Sequence, residues 1–371
     1  MLYMKRRDFI KYGATLAGVG GACLICKNQF FISEPQTAIQ NPMDTRPCRV
    51  PFEFAEVIYN GDVYPCCKDF LKYNEDYVGN IEKNSPDEIW NGKLYTDLRQ
   101  RMLKGDFSMC NRNICVYHPC DKENLPSEYQ KGPQELKISY DFECNYNCIT
   151  CRDEIIMNTP EKTKLYEEVY LPKIIEIAKN SEVVNLLGTG DPLFSRHSRN
   201  IIKTLIKKYP EIKFNISTNG FLLNEENINE LTIQNNIRGV FVSVDATNRE
   251  TYKKILKTDG FDTVMKNIKL MSEWKKQGKI DILTLNFVVH IMNYKEMPEF
   301  LQMSKKLGAF VFFSTYRPWP SAEYHKRYDE VAVFEPTNKH YKELVKILHN
   351  PIFKDREHCY LEPRLADIAN L

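Results

Sequence analysis

From Leu136 onward the chain alternates short apolar runs with longer amphipathic stretches. The runs at 136–142, 182–187, 211–217, 238–244, 280–289 and 309–315 have strand length and β-branched content. The stretches near 161–179, 196–208, 224–235, 248–271, 293–307 and 337–349 carry helical periodicity. Strands that alternate with helices in this way predict βαβ units around a parallel sheet. The expected class is α/β: a partial (β/α)6 TIM-type barrel over 136–315, since eight units would make a full one. In such barrels the working residues sit where strands end and loops begin.

The pattern before Leu136 is different. Glu56 to Tyr64 reads as a hairpin about a turn at Asn60-Gly61, and Ser85-Pro86-Asp87-Glu88 reads as a capped helix start, with helix continuing to about Leu103. Residues 48–120 are therefore expected to form a small α+β module. Pro35, Pro42 and Pro47 among polar residues mark 27–47 as a linker, and 316–371 reads as a C-terminal extension with a helix. No internal repeat or low-complexity segment appears.

Composition narrows the class. With 43% hydrophobic and 27% charged residues, the 371-residue chain can bury a sizeable core. A net charge of +2 lacks the basic excess of a nucleic-acid-binding surface. The cysteines change the picture most. Of twelve, most cluster at close spacings that suit metal ligation better than disulfide pairing: Cys23 and Cys26; Cys48, Cys66, Cys67, Cys110, Cys115 and Cys120; and Cys144, Cys148 and Cys151. The last trio, Cys-x3-Cys-x2-Cys, follows the first barrel strand. It offers three thiolates where a closed structural site wants four, so one metal position stays open. Small polar and glycine residues recur at later strand ends: Gly188-Thr189-Gly190-Asp191-Pro192, Ser217-Thr218-Asn219-Gly220, Ser243-Val244-Asp245-Ala246, and Asn286 within the fifth run.

Taken together and in this order, these segments resemble the core of the radical S-adenosylmethionine (radical SAM) enzymes over about 136–315. The resemblance implies a 4Fe-4S cluster on Cys144, Cys148 and Cys151 whose open iron is chelated by S-adenosyl-L-methionine. Reductive cleavage of that cofactor would release a 5′-deoxyadenosyl radical, which abstracts a substrate hydrogen. It also implies cofactor contacts from Gly190, Asp191, Thr218, Asn219, Ser243, Asp245 and Asn286, and a reductant such as flavodoxin or ferredoxin. Two positions depart from the family pattern: Thr150 stands where an aromatic residue usually precedes the last cysteine, and Asp191 replaces the commoner Glu.

Residues 48–120 resemble the SPASM-type iron–sulfur module in Cys48, Gly61, Cys66, Gly79-Asn80-Ile81 and Ile89-Trp90. The later cysteines are spaced differently, and the module precedes the core rather than following it. Six cysteines suffice for one auxiliary 4Fe-4S cluster, with Cys48 and Cys66 as the firmest ligands. The others would come from Cys67, Cys110, Cys115 and Cys120, with His118 or Cys359 as further candidates; the alternative is a structural zinc site. His290, His325, His340, His349 and His358 read as packing or surface residues. Tyr316 and Arg317 lie where a substrate could sit.

Family members with auxiliary clusters often modify peptides or proteins, so a peptide or protein substrate is the expectation. A non-catalytic iron–sulfur or zinc protein for electron transfer or scaffolding is the alternative. At the N-terminus, Arg6-Arg7-Asp8-Phe9-Ile10-Lys11 before an apolar run to Ile25 resembles a twin-arginine signal; an ordinary basic, apolar start is the other reading. The expected chemistry is cytoplasmic, with residues 1–26 as a membrane tether or a handle for export machinery.

Overall fold

The computed structural model describes residues 45–72, 77–111, 115, 119–187, 189–319 and 323–370. The twin-arginine-like segment, most of the linker, Cys23, Cys26 and His118 lie outside the described residues. Ten strands form one sheet: β1 (Phe54–Ile58), β2 (Asp62–Tyr64), β3 (Gly79–Asn80), β4 (Glu135–Ser139), β5 (Val183–Leu186), β6 (Lys213–Thr218), β7 (Ile237–Ser243), β8 (Ile282–Val289), β9 (Phe310–Thr315) and β10 (Cys359–Leu361). Their order is β10-β9-β8-β7-β6-β5-β4-β1-β2-β3. Strands β4 to β9 are the six expected barrel strands, all parallel.

Two further strands extend this parallel row beyond the expected six. β10 adds in parallel to β9, and β1 adds in parallel to β4 with Phe54 to Ile58 opposite Glu135 to Ser139. The hairpin β1–β2 and the short β3 continue antiparallel beyond β1. The cysteine module therefore shares the sheet of the barrel instead of hanging from it. Its hairpin turns at Gly61, where φ is +79°.

Helices line one face. In chain order they are α1 (Val50–Glu53), α2 (Pro86–Trp90), α3 (Lys93–Leu103), α4 (Pro160–Leu165), α5 (Leu171–Ile177), α6 (Arg196–Lys208), α7 (Glu225–Leu231), α8 (Arg249–Leu256), α9 (Phe261–Lys276), α10 (Met297–Lys306), α11 (Tyr328–Val331), α12 (Tyr341–Leu348) and α13 (Pro363–Ile368). A π-helical turn, Tyr166–Tyr170, joins α4 to α5. Ser85 and Glu88 form the expected capping box. The single helix expected over 248–271 is two, because Lys257 turns left-handed at φ 55° and Gly260 precedes a new start.

Strand alternation separates two interiors. Leu136, Ile138, Val184, Leu186, Phe214, Ile216, Val240, Val242, Leu283 and Leu285 are fully or nearly buried in the main apolar core, which includes Ile174, Ile201, Leu205, Ile228, Ile255 and Ile268 of the helices. The intervening positions face the inside of the barrel and include polar groups. One register row runs Glu56, Lys137, Asn185, Asn215, Gly239. Lys137 Nζ pairs with Glu56 Oε1 at 2.8 Å, both almost wholly buried, and Ser139 Oγ donates to the same oxygen at 2.8 Å. Asn215 Nδ2 donates to Asn185 Oδ1 at 2.9 Å, and Asn185 Nδ2 to Glu135 Oε1 at 2.7 Å. Gly239 leaves room for this row, since a Cβ there would lie 2.7 Å from Asn215 Oδ1.

Removing one partner of a buried ion pair leaves the other charge uncompensated. Lys137→Met is expected to destabilise the protein by about 3–5 kcal/mol in chemical denaturation, and the double variant Glu56→Leu/Lys137→Met to recover much of that loss.

Candidate cofactor site

Cys144, Cys148 and Cys151 lie in the irregular loop that leaves the C-terminal end of β4. Three interactions hold this loop against the next strand's exit. Thr189 Oγ1 donates to the Asp141 carbonyl at 2.7 Å, Asp191 N donates to the Glu143 carbonyl at 2.8 Å, and the Arg152 guanidinium spans both segments. The contact is so close that a Cβ on Gly190 would sit 2.2 Å from the Glu143 carbonyl oxygen. Only glycine fits there.

Buried acids tie the loop's own ends together. Asp141 accepts from Glu143 N, Asn158 Nδ2 and the Ser195 hydroxyl, while Glu143 accepts from Asn158 N at 2.8 Å and Arg196 N at 3.3 Å. The Cys144 N–H donates to the Ile156 carbonyl at 3.2 Å, folding the far side of the loop back over the trio.

The other residues singled out in the sequence gather at the same end of the sheet. Asn219, just after β6, donates from Nδ2 to Asn145 Oδ1 at 2.8 Å and lies 3.9 Å from Cys144 Sγ. Ser243, at the end of β7, is the register partner of Asn286 on β8. Asn286 is buried and its Oδ1 has no partner among the described residues. Asp245 takes a left-handed φ of 61°, which a short polar side chain tolerates, and accepts from Val288 N at 2.7 Å. Burial pushes its carboxyl up to about 7.

Asp191 accepts from four donors. Oδ1 accepts from Leu193 N and Phe194 N; Oδ2 accepts from Thr218 Oγ1 at 2.7 Å and Asn219 N at 2.9 Å. Both oxygens are thus committed within the protein, and the side chain is buried. Asp191 with Thr218 pins the β5 exit to the β6 exit.

Sequence reasoning passed over Arg152. Its Nε and Nη2 donate to Cys151 Sγ at 3.3 and 3.2 Å, Nη1 donates to the Phe142 carbonyl at 2.7 Å, and Nη2 also donates to the Thr189 carbonyl. Arg152 is 5% exposed and pairs with no carboxylate among the described residues. Its electrostatic partners are the three cysteines, which hold the guanidinium above its usual range against desolvation. A buried cation needs a countercharge, and a thiolate-bound cluster supplies one. Without metal, burial pushes the Cys144 thiol up to about 11 and Cys148 well above its ordinary value. Metal ligation requires deprotonated sulfurs. The set of three sulfurs beside a guanidinium without a carboxylate fits an anionic iron–sulfur group.

The module's cysteines converge separately. Cys48, Cys66 and Cys110 pack on the cluster of Phe52, Ile58, Tyr64 and Leu71; Cys48, Cys66, Cys67 and Cys115 pack on Val50, Phe54 and Phe70. Cys48 bridges to Pro119, bringing Cys120 alongside, and Cys110 bridges to Leu71. No described cysteine is in a disulfide. Cys359 does not belong here. It is buried on β10, donates to the Asp355 carbonyl at 3.2 Å, and is held by burial up to about 12.

A depression of about 810 Å³ opens at the other end of the barrel, among Lys179, Lys208, Lys213, Arg238 and Lys279. It lies at the starts of the strands, at the opposite end from the cysteine trio, and the trio's chemistry is assigned to the strand ends. Among the described residues, no helix is long and apolar enough to cross a membrane.

Residues 142–303 match the radical SAM superfamily. That segment is similar to a radical SAM domain. Residues 48–115 match the SPASM family, described as an iron–sulfur cluster-binding domain. The two domains imply a 4Fe-4S cluster with SAM in the barrel and further iron–sulfur binding in the module, which favours iron over zinc there. The chain is 30% identical over 190 residues to a probable GTP 3′,8-cyclase of Saccharolobus islandicus, covering 47% of this chain and 54% of that one. It is 28% identical over 192 residues to a probable GTP 3′,8-cyclase of Methanocaldococcus jannaschii, covering 50% and 60%. It is 27% identical over 213 residues to the FeMo cofactor biosynthesis protein NifB of Methanocaldococcus infernus, covering 54% and 68%. The chain thus spans only about half the length of the first of these relatives. Among solved structures, it is similar to the radical SAM enzyme coproporphyrinogen III oxidase of Escherichia coli, with a TM-score of 0.43, 13% identity, and coverage of 59% and 52%.

Two outcomes follow from this geometry. Gly190→Ala should displace the 141–143 segment, and the anaerobically reconstituted variant should hold at least several-fold less trio-bound iron while the module's iron is unchanged. In the cluster-free chain, Asp245 and Glu135, both held by burial up to about 7, keep protons that the unfolded chain releases near pH 4. The folded state then binds more protons across that window, so stability should fall as pH rises from about 4 to about 7. Asp245→Asn should flatten the slope in denaturation curves measured across that range.

Proposed function

We propose that this chain is a radical SAM enzyme that acts on a peptide or protein. The observation that carries the reading is the convergence, at the C-terminal ends of β4 to β8, of the cysteine trio with Asn219, Ser243, Asp245 and Asn286. A mere cluster carrier has no use for a set of polar strand-end residues beside its ligands. When bound there, the cluster and SAM supply a one-electron reduction of the sulfonium and a 5′-deoxyadenosyl radical that removes a substrate hydrogen.

The protein's own part is to bind, orient and exclude water. Cys144, Cys148 and Cys151 would hold the cluster. Asn286 Oδ1, buried without a partner among the described residues, offers an acceptor to a hydroxyl or amino group. Asp245 offers a carboxyl whose second oxygen can meet a hydroxyl donor, since the first is taken by Val288 N. Asp191 acts indirectly, by fixing Asn219. The polypeptide part of the reading is supported by apolar side chains exposed at this end: Ile155 and Met157 are 52% and 59% exposed just past the trio, and Met292 is 42% exposed just past β8. A reductant such as flavodoxin or ferredoxin would deliver the electron, and residues 1–26 would serve as a tether.

Anaerobic incubation of the reconstituted chain with dithionite and SAM is expected to yield 5′-deoxyadenosine, and Cys144→Ala to abolish it. Absence of product from a fully loaded cluster would leave only an electron-transfer or scaffold role. Repeating the incubation with the protein and small-molecule fractions of deuterated cells tests the substrate class. Deuterium should enter 5′-deoxyadenosine from the protein fraction; label arriving only from the small molecules would overturn the polypeptide assignment.

A further inference from the structure

We propose that Arg152 is the built-in countercharge of the trio's cluster and sets its reduction potential, a positioning role that rests on the reading that the trio holds that cluster. Arg152 is the residue directly after Cys151, yet its side chain turns inward. It is buried, with no carboxylate partner among the described residues, and it donates to Cys151 Sγ from two nitrogens at 3.2 and 3.3 Å. Carbonyls of Phe142 and Thr189 take the guanidinium's other hydrogen bonds and prevent it from swinging to solvent. Carbonyl dipoles fix its orientation without cancelling its charge. Among the described residues, the cysteines are the groups placed to balance it. Asn219 Nδ2 approaches Cys144 Sγ at 3.9 Å and adds a weaker donor to a second sulfur of the trio.

Hydrogen bonds to ligand sulfurs and nearby net charge are the protein's levers on cluster potential. Reduction adds one electron to a group already made anionic by three thiolates. A fixed cation that donates to one of those sulfurs stabilises the reduced form more than the oxidised form. Arg152 therefore raises the midpoint potential and eases electron entry from the donor. The same fork ties the last ligand to the β5 exit, so the charge stays at a fixed distance from the sulfur in both oxidation states.

The test is an EPR-monitored redox titration of the full reconstituted chain. The spectrum of the Cys144→Ala/Cys148→Ala/Cys151→Ala variant is subtracted to remove the module's signal. Midpoints should fall in the order wild type, Arg152→Lys, Arg152→Gln, because lysine keeps the charge without the planar fork and glutamine keeps a donor without the charge. Equal midpoints at equal iron content would overturn the proposal. Should Arg152→Gln lose the trio's iron while Arg152→Lys keeps it at unchanged circular dichroism, the countercharge is upheld. Equal iron loss from both would overturn it in favour of a purely structural brace. A measurement on the unaltered protein decides independently of the variants' folding. With guanidinium-15N-labelled arginine, the reduced trio cluster should show a 15N hyperfine coupling, and its absence would overturn the assignment. A wild-type chain that binds no iron at the trio would refute the cluster reading itself, an outcome distinct from all of these.

Discussion

The close approach of the cluster loop to the β5 exit is the constraint on which the site depends. At Gly190 two backbones pass without room for a single methyl group. Thr189, Asp191 and Arg152 convert that proximity into hydrogen bonds in both directions. Asp191 passes the constraint on to Thr218 and Asn219, and Asn219 returns it to Asn145 within the loop. Segments that are far apart in sequence thus form one circuit. Three cysteines in an irregular loop would otherwise lose much conformational freedom on taking up a common ligand. The circuit meets most of that cost during folding.

Around this circuit the sheet does two different jobs with its two faces. The outer face is a continuous apolar layer under the helices and supplies the stability of the fold. The inner face carries Glu56, Lys137, Asn185 and Asn215 in a single register row, with Glu56 paired to Lys137 and Asn185 joined to Asn215 and Glu135. Buried polar groups that are paired are compatible with a stable interior, whereas unpaired ones are costly. Asn286, opposite Ser243 at the end of β7, is one of the inner residues whose oxygen has no partner among the described residues.

Much of this was legible in the sequence because period and spacing are local signals. Six barrel strands, the Asn60-Gly61 turn and the Ser85–Glu88 capping box can each be read within a short window. The trio announces itself by spacing alone. β10 could not be read, because a segment as short as Cys359–Leu361 carries no period, and its pairing with β9 is decided by tertiary contact. The union of β1 with β4 escaped for a similar reason: a parallel partner far along the chain leaves no local mark. Arg152 and Asp191 show the limit for side chains. An arginine after a cysteine reads as a surface charge, and an aspartate in a glycine-rich turn reads as a ligand. Only the neighbours contributed by other strands show that the first points inward and that the second binds the β6 exit.

The parallel pairing of β1 with β4 has a consequence for the two cysteine groups as a pair. β1 starts at Phe54, shortly after Cys48, and β4 ends at Ser139, shortly before Cys144. The two strands run parallel, so these short leads leave from opposite ends of adjoining strands, and the groups are held about a strand's length apart. Their separation is set by backbone hydrogen bonds and not by a hinge. A chain shortened to begin at the barrel would bare the edge of β4, strip Lys137 of its carboxylate, and present an open row of N–H and C=O groups to other copies of itself. The module is thus a wall of the barrel as well as a container for metal.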